Sequence, residues 1–345
     1  MKKLKIAYFG TSYFSAIFLE KLMLDTSINR LIELKLVVTQ PDKPVGRKNI
    51  LSPSSVKEVA KKFGVKIQAT GVPSQGSHQR AEFFQPVAGS STGGKDEGQD
   101  PLQNIDLAIL FAYGEIIPKE ILKLPKLGFW NVHPSLLPKY RGPSPIASPL
   151  IVGDKKTGVT LIQLDDKVDH GPIIAQEELF INPKDRRPDL EIKLTNLAYE
   201  MFKELVTGVE KKGPPQRAAR HFDWSSEHWG EMNSRQAPSN FKEQDHTQAT
   251  YTRLLKKEDG FVLLSDLKRA REENGTMIYN RFRGLYPWPG IWTKVRIKEK
   301  DLRLKIIDLD LVENGRDRSL QIKTVQLEGK KEVCFGTFNH AYKVF

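Results

Sequence analysis

The chain has 345 residues, with 54 Lys and Arg against 42 Asp and Glu, a formal net charge of +12 and a single cysteine. That length makes room for two domains, and the lone Cys334 excludes an internal disulfide. No apolar run approaches the roughly 20 residues needed to cross a bilayer, and the start "MKKLKIAYFG" is too short in apolar residues for a secretion signal, so a reducing, cytoplasmic location is expected.

In chain order, "LKIAYFG" (4–10) is a short apolar run ending in Gly, and an amphipathic pattern follows through "YFSAIFLEKLML". This predicts strand, turn and helix. The first turn, "GTSYF", lacks the G-x-G-x-x-G spacing of a dinucleotide site. Further strands are predicted at 34–40 and 65–70, with a helix at 54–64 between them. "IDLAILFAYG" (105–114) reads as a buried strand, 158–166 and 172–181 as a hairpin-like pair, and 189–212 as a long helix. Strands alternating with helices predict an α/β fold, a Rossmann-like, mostly parallel sheet with helices on both faces.

Two segments break this pattern. Residues 86–104 are rich in Gly, Ser and charge and are expected to form a flexible insertion, and residues 213–248 are polar and Pro-bounded and are expected to be a poorly ordered linker. Beyond them, 266–285 reads as one helix, and "IWTKVRIK", "LRLKIIDLDLV", "LQIKTVQL" and "KEVCFGTF" alternate like strands of a small, OB-like β-barrel. The expected division is therefore a catalytic domain at 1–212, a linker at 213–249 and a C-terminal domain at 250–345. That last part holds 20 Lys and Arg against 13 Asp and Glu, more than half of the chain's excess charge. Such asymmetry points to a polyanionic partner.

The stretch "GFWNVHPSLLPKYRGPSP" (128–145) carries the chemistry. Side chains two apart on a strand share a face, so Asn131 and His133 can converge on one substrate atom. Pro134 ends the strand there, which sets the pair beyond the carboxyl ends of the strands, where ligands of open parallel sheets bind. An amide N–H and an imidazole together suit a carbonyl oxygen that gains negative charge. An isolated N-x-H would more often satisfy backbone than bind substrate. The histidines show no metal-ligand spacing with Cys or carboxylates, and no metal is expected.

The run "HPSLLPKYRGPSP" with the downstream loop "LDDKVDHGPI" resembles the 10-formyltetrahydrofolate-dependent formyltransferase family. Within it, "VVTQPDKPVGR", "LSPSSVKEVA", "FAYGEIIPKEIL", "GLYPWPG" and "TVQLEGKKEV" extend the likeness to the members that act on methionyl initiator tRNA. The resemblance implies a monomeric enzyme that moves the formyl group of 10-formyltetrahydrofolate to the α-amino group of that methionyl-tRNA. It implies Asn131, His133 and Asp169 as the catalytic triad, and Ser135, Leu136, Leu137 and Pro138 as part of the folate site. It also implies that the loop with Arg47 and Lys48 reaches the tRNA acceptor end. Lys167 and Val168 depart from the family's usual Gly and Leu, and His170 is a rival imidazole. The other readings are an N-formyltransferase acting on an amino sugar nucleotide and a non-catalytic RNA-binding protein.

Overall fold

The computed structural model describes residues 2–46, 49–69, 101–208, 241–314 and 317–345. Strands β1 (Leu4–Gly10), β2 (Ile32–Thr39), β3 (Lys43–Val45), β4 (Ile50–Ser52), β5 (Ile67–Ala69), β6 (Leu107–Phe111), β7 (Phe129–His133), β8 (Lys156–Gln163) and β9 (Ile173–Phe180) precede four more in the C-terminal part. Seven form one sheet in the order β5-β2-β1-β6-β7-β8-β9, and β3 pairs with β4 as a separate ribbon. The neighbours from β5 to β7 are parallel and β8 runs antiparallel to β7. The sheet is thus mostly parallel, as the alternation of apolar strands and amphipathic helices predicts.

Its strands are near-continuous apolar runs, and helices pack on them: Tyr13–Leu24 on β1, and Ser55–Lys62 on β2 and β5. Ala7, Phe9, Leu36, Val38, Ala108 and Phe129 are buried together, and each fully buried Phe contributes about 1.5–3 kcal/mol. Helix Tyr13–Leu24 starts where the Ser12 side chain accepts from Ser15 N, and helix Ser55–Lys62 where Ser54 accepts from Lys57 N. These caps satisfy backbone donors left open by the first turn. Tyr113 is a core residue, its ring packed edge-on against Phe9.

The chain forms two compact units. One comprises Met1–Arg141, Gly158–Leu179 and Ile192–Thr250, and the other Gly142–Thr157, Phe180–Glu191 and Tyr251–Phe345. The division expected from the sequence runs in chain order, whereas these units interleave. In the second unit, helix Ala147–Val152 lies against helix Thr276–Leu285 at Gly284, where a Cβ would stand 2.5 Å from Ile151 and 2.8 Å from the Ala147 carbonyl. That close approach draws residues 142–157 into the C-terminal packing.

The C-terminal strands β10 (Ile291–Ile297), β11 (Lys300–Asn314), β12 (Asp317–Leu327) and β13 (Glu332–Cys334) form an antiparallel sheet in that order. Two local expectations are corrected. The predicted helix 266–285 is two, Leu264–Glu272 and Thr276–Leu285. Asn274 Oδ1 accepts from Thr276 N while Gly275 N donates to Arg318 O, so the backbone between them bonds away from a continuous helix. The fourth strand is only three residues, because Phe335 and Phe338, three apart, are buried on one face of helix Phe335–Tyr342.

Three other expectations meet the edge of the described residues. In 86–104, residues 86–100 lie outside them, while 101–104 form a turn with Leu102 fully buried. In 213–248, residues 213–240 lie outside, but 241–248 are held in place: Lys242 and Ile173 exchange both backbone hydrogen bonds, at 2.7 and 3.0 Å. Arg47 and Lys48 also lie outside the described residues, between β3 and β4.

Candidate active site

Strand β7 places the first two residues. Leu110 of β6 pairs with Asn131, and on the other side Ile162 and Thr160 of β8 pair with Asn131 and His133. With ladders on both flanks the register is set, and Asn131 and His133 point to one face. The strand stops after His133, where Pro134 has no N–H to donate and Ser135 N turns back to His133 O. Both side chains are buried.

Asp169 arrives from the loop between β8 and β9. That loop closes through Gly171, where a Cβ would stand 1.8 Å from Gln163 O, so only glycine permits the crossing. Asp169 itself has φ +48°, a left-handed backbone that costs a residue with a side chain about 1–3 kcal/mol. Its Oδ1 accepts from Asn131 Nδ2 at 3.1 Å and lies 3.4 Å from His133 Nδ1. One carboxylate oxygen therefore joins all three residues that the sequence singles out. The second N–H of Asn131 makes no hydrogen bond to any described residue, while His133 Nε2 faces Tyr140 O at 3.0 Å.

The turn 135–138 is tied inward. Ser135 Oγ donates to Lys139 O, and Thr160 Oγ1 donates to Ser135 O while accepting from Leu137 N and from Gln176 Nε2. Ser135, Leu137 and Thr160 are buried, whereas Leu136 and Pro138 keep partial exposure. The polar groups of this turn thus shape it, and the surface it offers is mostly apolar.

His170 is not joined to Asn131. Its Nδ1 lies 2.6 Å from Asp165 Oδ2, and its ring stacks on His246 at 4.0 Å. At the loop's exposed edge Lys119 hydrogen-bonds Asp166 at 2.8 Å, which holds the Asp166 carboxyl below its ordinary range and raises the Lys119 ammonium. Sequence reasoning missed Arg141 and Gln244, both buried beside the loop. Arg141 reads only as one more basic residue, and Gln244 stands in a polar stretch without periodicity, so neither carries a signal of its own.

Comparison with known proteins bears on this arrangement. Residues 4–206 match the family model for formyl transferase, and 270–342 that for the formyl transferase C-terminal domain. The chain is 32% identical to a methionyl-tRNA formyltransferase from Caldicellulosiruptor saccharolyticus over 98% of this chain and 97% of that protein. It is 31% identical to one from Staphylococcus aureus strain JH1, over 97% and 95%. Among solved structures, the fold is similar to an N-formyltransferase from Helicobacter canadensis in complex with folinic acid and dTDP-3-aminofucose, with TM-score 0.52, 17% identity and coverage of 91% of this chain and 89% of that one. A 4-N formyltransferase from Francisella tularensis gives TM-score 0.53 at 14% identity, covering 87% and 96%. No helix among the described residues is long and apolar enough to cross a membrane.

Proposed function

The chain belongs to the formyltransferase family, and from that premise we propose that it transfers the formyl group of 10-formyltetrahydrofolate to the α-amino group of methionyl initiator tRNA. The observation that carries this reading is the convergence of Asn131 and His133 on Asp169 Oδ1. An α-amino group has a reference pKa of about 7.7–8.0, so an appreciable fraction is already a free nucleophile at neutral pH. The site must then mainly stabilise charge and move one proton.

Asn131 suits the first task. Its second N–H, which meets no partner among the described residues, is the donor for the formyl oxygen as that oxygen becomes negative. His133 and Asp169 suit the second. As the amine nitrogen bonds to the formyl carbon and the bond to the folate nitrogen breaks, the amine's proton passes to this pair and from it to the folate nitrogen. His133 Nε2 is oriented by Tyr140 O, which leaves Nδ1 for the exchange with Asp169. The half-exposed Leu136 and Pro138 give the folate ring an apolar edge, held in shape by Ser135, Leu137 and Thr160. The basic excess of residues 250–345 suits tRNA phosphates, and Arg47 and Lys48 suit its acceptor end.

Purified protein with 10-formyltetrahydrofolate should formylate methionyl-tRNA and leave a dTDP-linked amino sugar unchanged. The opposite preference would overturn the proposed acceptor, and transfer to neither would overturn the enzymatic reading.

A further inference from the structure

We propose that Gln244, backed by Arg141, is a positioning residue for Asp169. This rests on the reading of Asp169 as catalytic. The loop that carries Asp169 is tied through Asp165, which meets Lys167 N and His170, but Asp166, Lys167 and Val168 are exposed and Asp169 itself adopts the left-handed backbone. Such a conformation persists where its surroundings over-determine it. Gln244, 5% exposed, supplies the constraint: its Nε2 donates to Asp169 O at 3.0 Å and to Gly171 O at 2.7 Å. Both amide hydrogens are thus spent on carbonyls that flank His170.

Arg141 settles which way the amide faces. Its guanidinium, in a residue only 1% exposed, reaches Gln244 Oε1 through Nε at 3.3 Å and through a terminal nitrogen at 2.6 Å. A guanidinium only donates, so the amide end toward it is the oxygen and the NH₂ end faces the loop. The same nitrogen of Arg141 lies 2.8 Å from His246 Nδ1, and the His246 ring stacks on His170. The paired backbones of Lys242 and Ile173 anchor the Gln244 segment beyond Gly171. The loop is therefore gripped from residues 75 positions downstream, and that grip sets where the Asp169 carboxylate meets Asn131 and His133.

Gln244→Glu isolates this role, because it keeps an acceptor for Arg141 while setting an oxygen against the two carbonyls. In the full-length protein, steady-state formylation of methionyl-tRNA should show kcat lowered at least about tenfold, with KM for both substrates within about twofold, the pattern of a displaced reacting group. In single turnover with excess enzyme, adding Gln244→Glu to Asp169→Ala should change the residual rate by less than about twofold. A folded Gln244→Glu protein with undiminished kcat overturns the proposal, as does a full further loss in the Asp169→Ala background. If Gln244→Glu does not fold, Gln244→Met, similar in volume and without donors, is read by the same criteria. Failure of both to fold assigns Gln244 to folding and also overturns it. Normal turnover by Asp169→Ala alone would instead refute the role of Asp169, a separate outcome.

Discussion

Asn131 and His133 are placed by a strand, and Asp169 by a loop, although all three meet at one oxygen atom. Asn131 sits between paired neighbours on β6 and β8, and His133 is paired with Thr160 of β8, so moving either would require breaking a ladder. Asp169 has no such ladder. Its backbone is strained, its neighbours 166–168 are exposed, and its position depends on a glycine crossing and a buried side-chain amide. A sheet holds a residue through many small backbone terms, whereas a loop holds it through a few specific groups. The two halves of the site should therefore fail differently: side-chain loss on β7 removes chemistry alone, while damage to the loop's supports removes placement.

The largest effect sharpens this contrast at the strand. His133→Ala and Asn131→Ala should each lower kcat at least about a hundredfold, the scale of losing an oxyanion donor or its proton partner. Because the ladders do not depend on these side chains, both proteins should keep a melting temperature close to the parent's. Near-normal turnover by either folded variant removes that residue from the assignment.

An intermediate effect tests the strand-edge turn, which joins the two modes. Thr160 pairs with His133 in the ladder, yet its hydroxyl also serves Ser135 O, Leu137 N and Gln176 Nε2. Thr160→Val keeps the shape and leaves Ser135 O and Leu137 N without this partner, while Gln176 Nε2 keeps Leu137 O, at a cost of about 1–3 kcal/mol. Thermal unfolding should show that loss, and KM for the folate donor should rise several-fold with a smaller change in kcat. A change in kcat alone would mean the hydroxyl acts on the chemistry and not on the turn.

How far each half is legible in the sequence follows the same division. The period of two that aligns Asn131 with His133, and the proline that ends their strand, are local features, and the apolar runs of β1, β2 and β6 report burial in the parallel sheet. Asp169 is readable only through the resemblance of its loop to a family. Gln244 is not readable at all, since a single buried amide in a polar stretch leaves no periodic trace, and Arg141 lies within the run that carries the resemblance with nothing local to mark it as buried. The same limit explains the helix at 335–342: alternation in "KEVCFGTF" fits a strand as well as a helix until the partners of Phe335 and Phe338 are known. Short apolar segments carry too few residues to separate the two periods.

The smallest effect probes a side-chain clamp of the same kind away from the site. Asp25 closes helix Tyr13–Leu24, accepts from Ser27 N and Ile28 N, and takes hydrogen bonds from Tyr199 and Lys203 on the long helix Arg187–Thr207. The Lys203 hydrogen bond, followed by that from Ser27, holds its carboxyl well below the usual carboxylate range. A carboxylate with a depressed folded pKa contributes stability that is present above its unfolded value, about 3.9, and is lost as pH falls through the folded value. Asp25→Asn should therefore lower stability at pH 7 by about 1 kcal/mol, after allowing for the partial exposure of Lys203. The gap between variant and parent in urea unfolding should narrow below about pH 4. Since no hydrogen bond or ion pair among the described residues joins Asp25 to the loop of Asp169, kcat should stay at the parent's value. A fall in kcat that tracks the loss of stability would mean that placement in this fold is shared across the sheet, and that the clamp at Gln244 is one contributor among many.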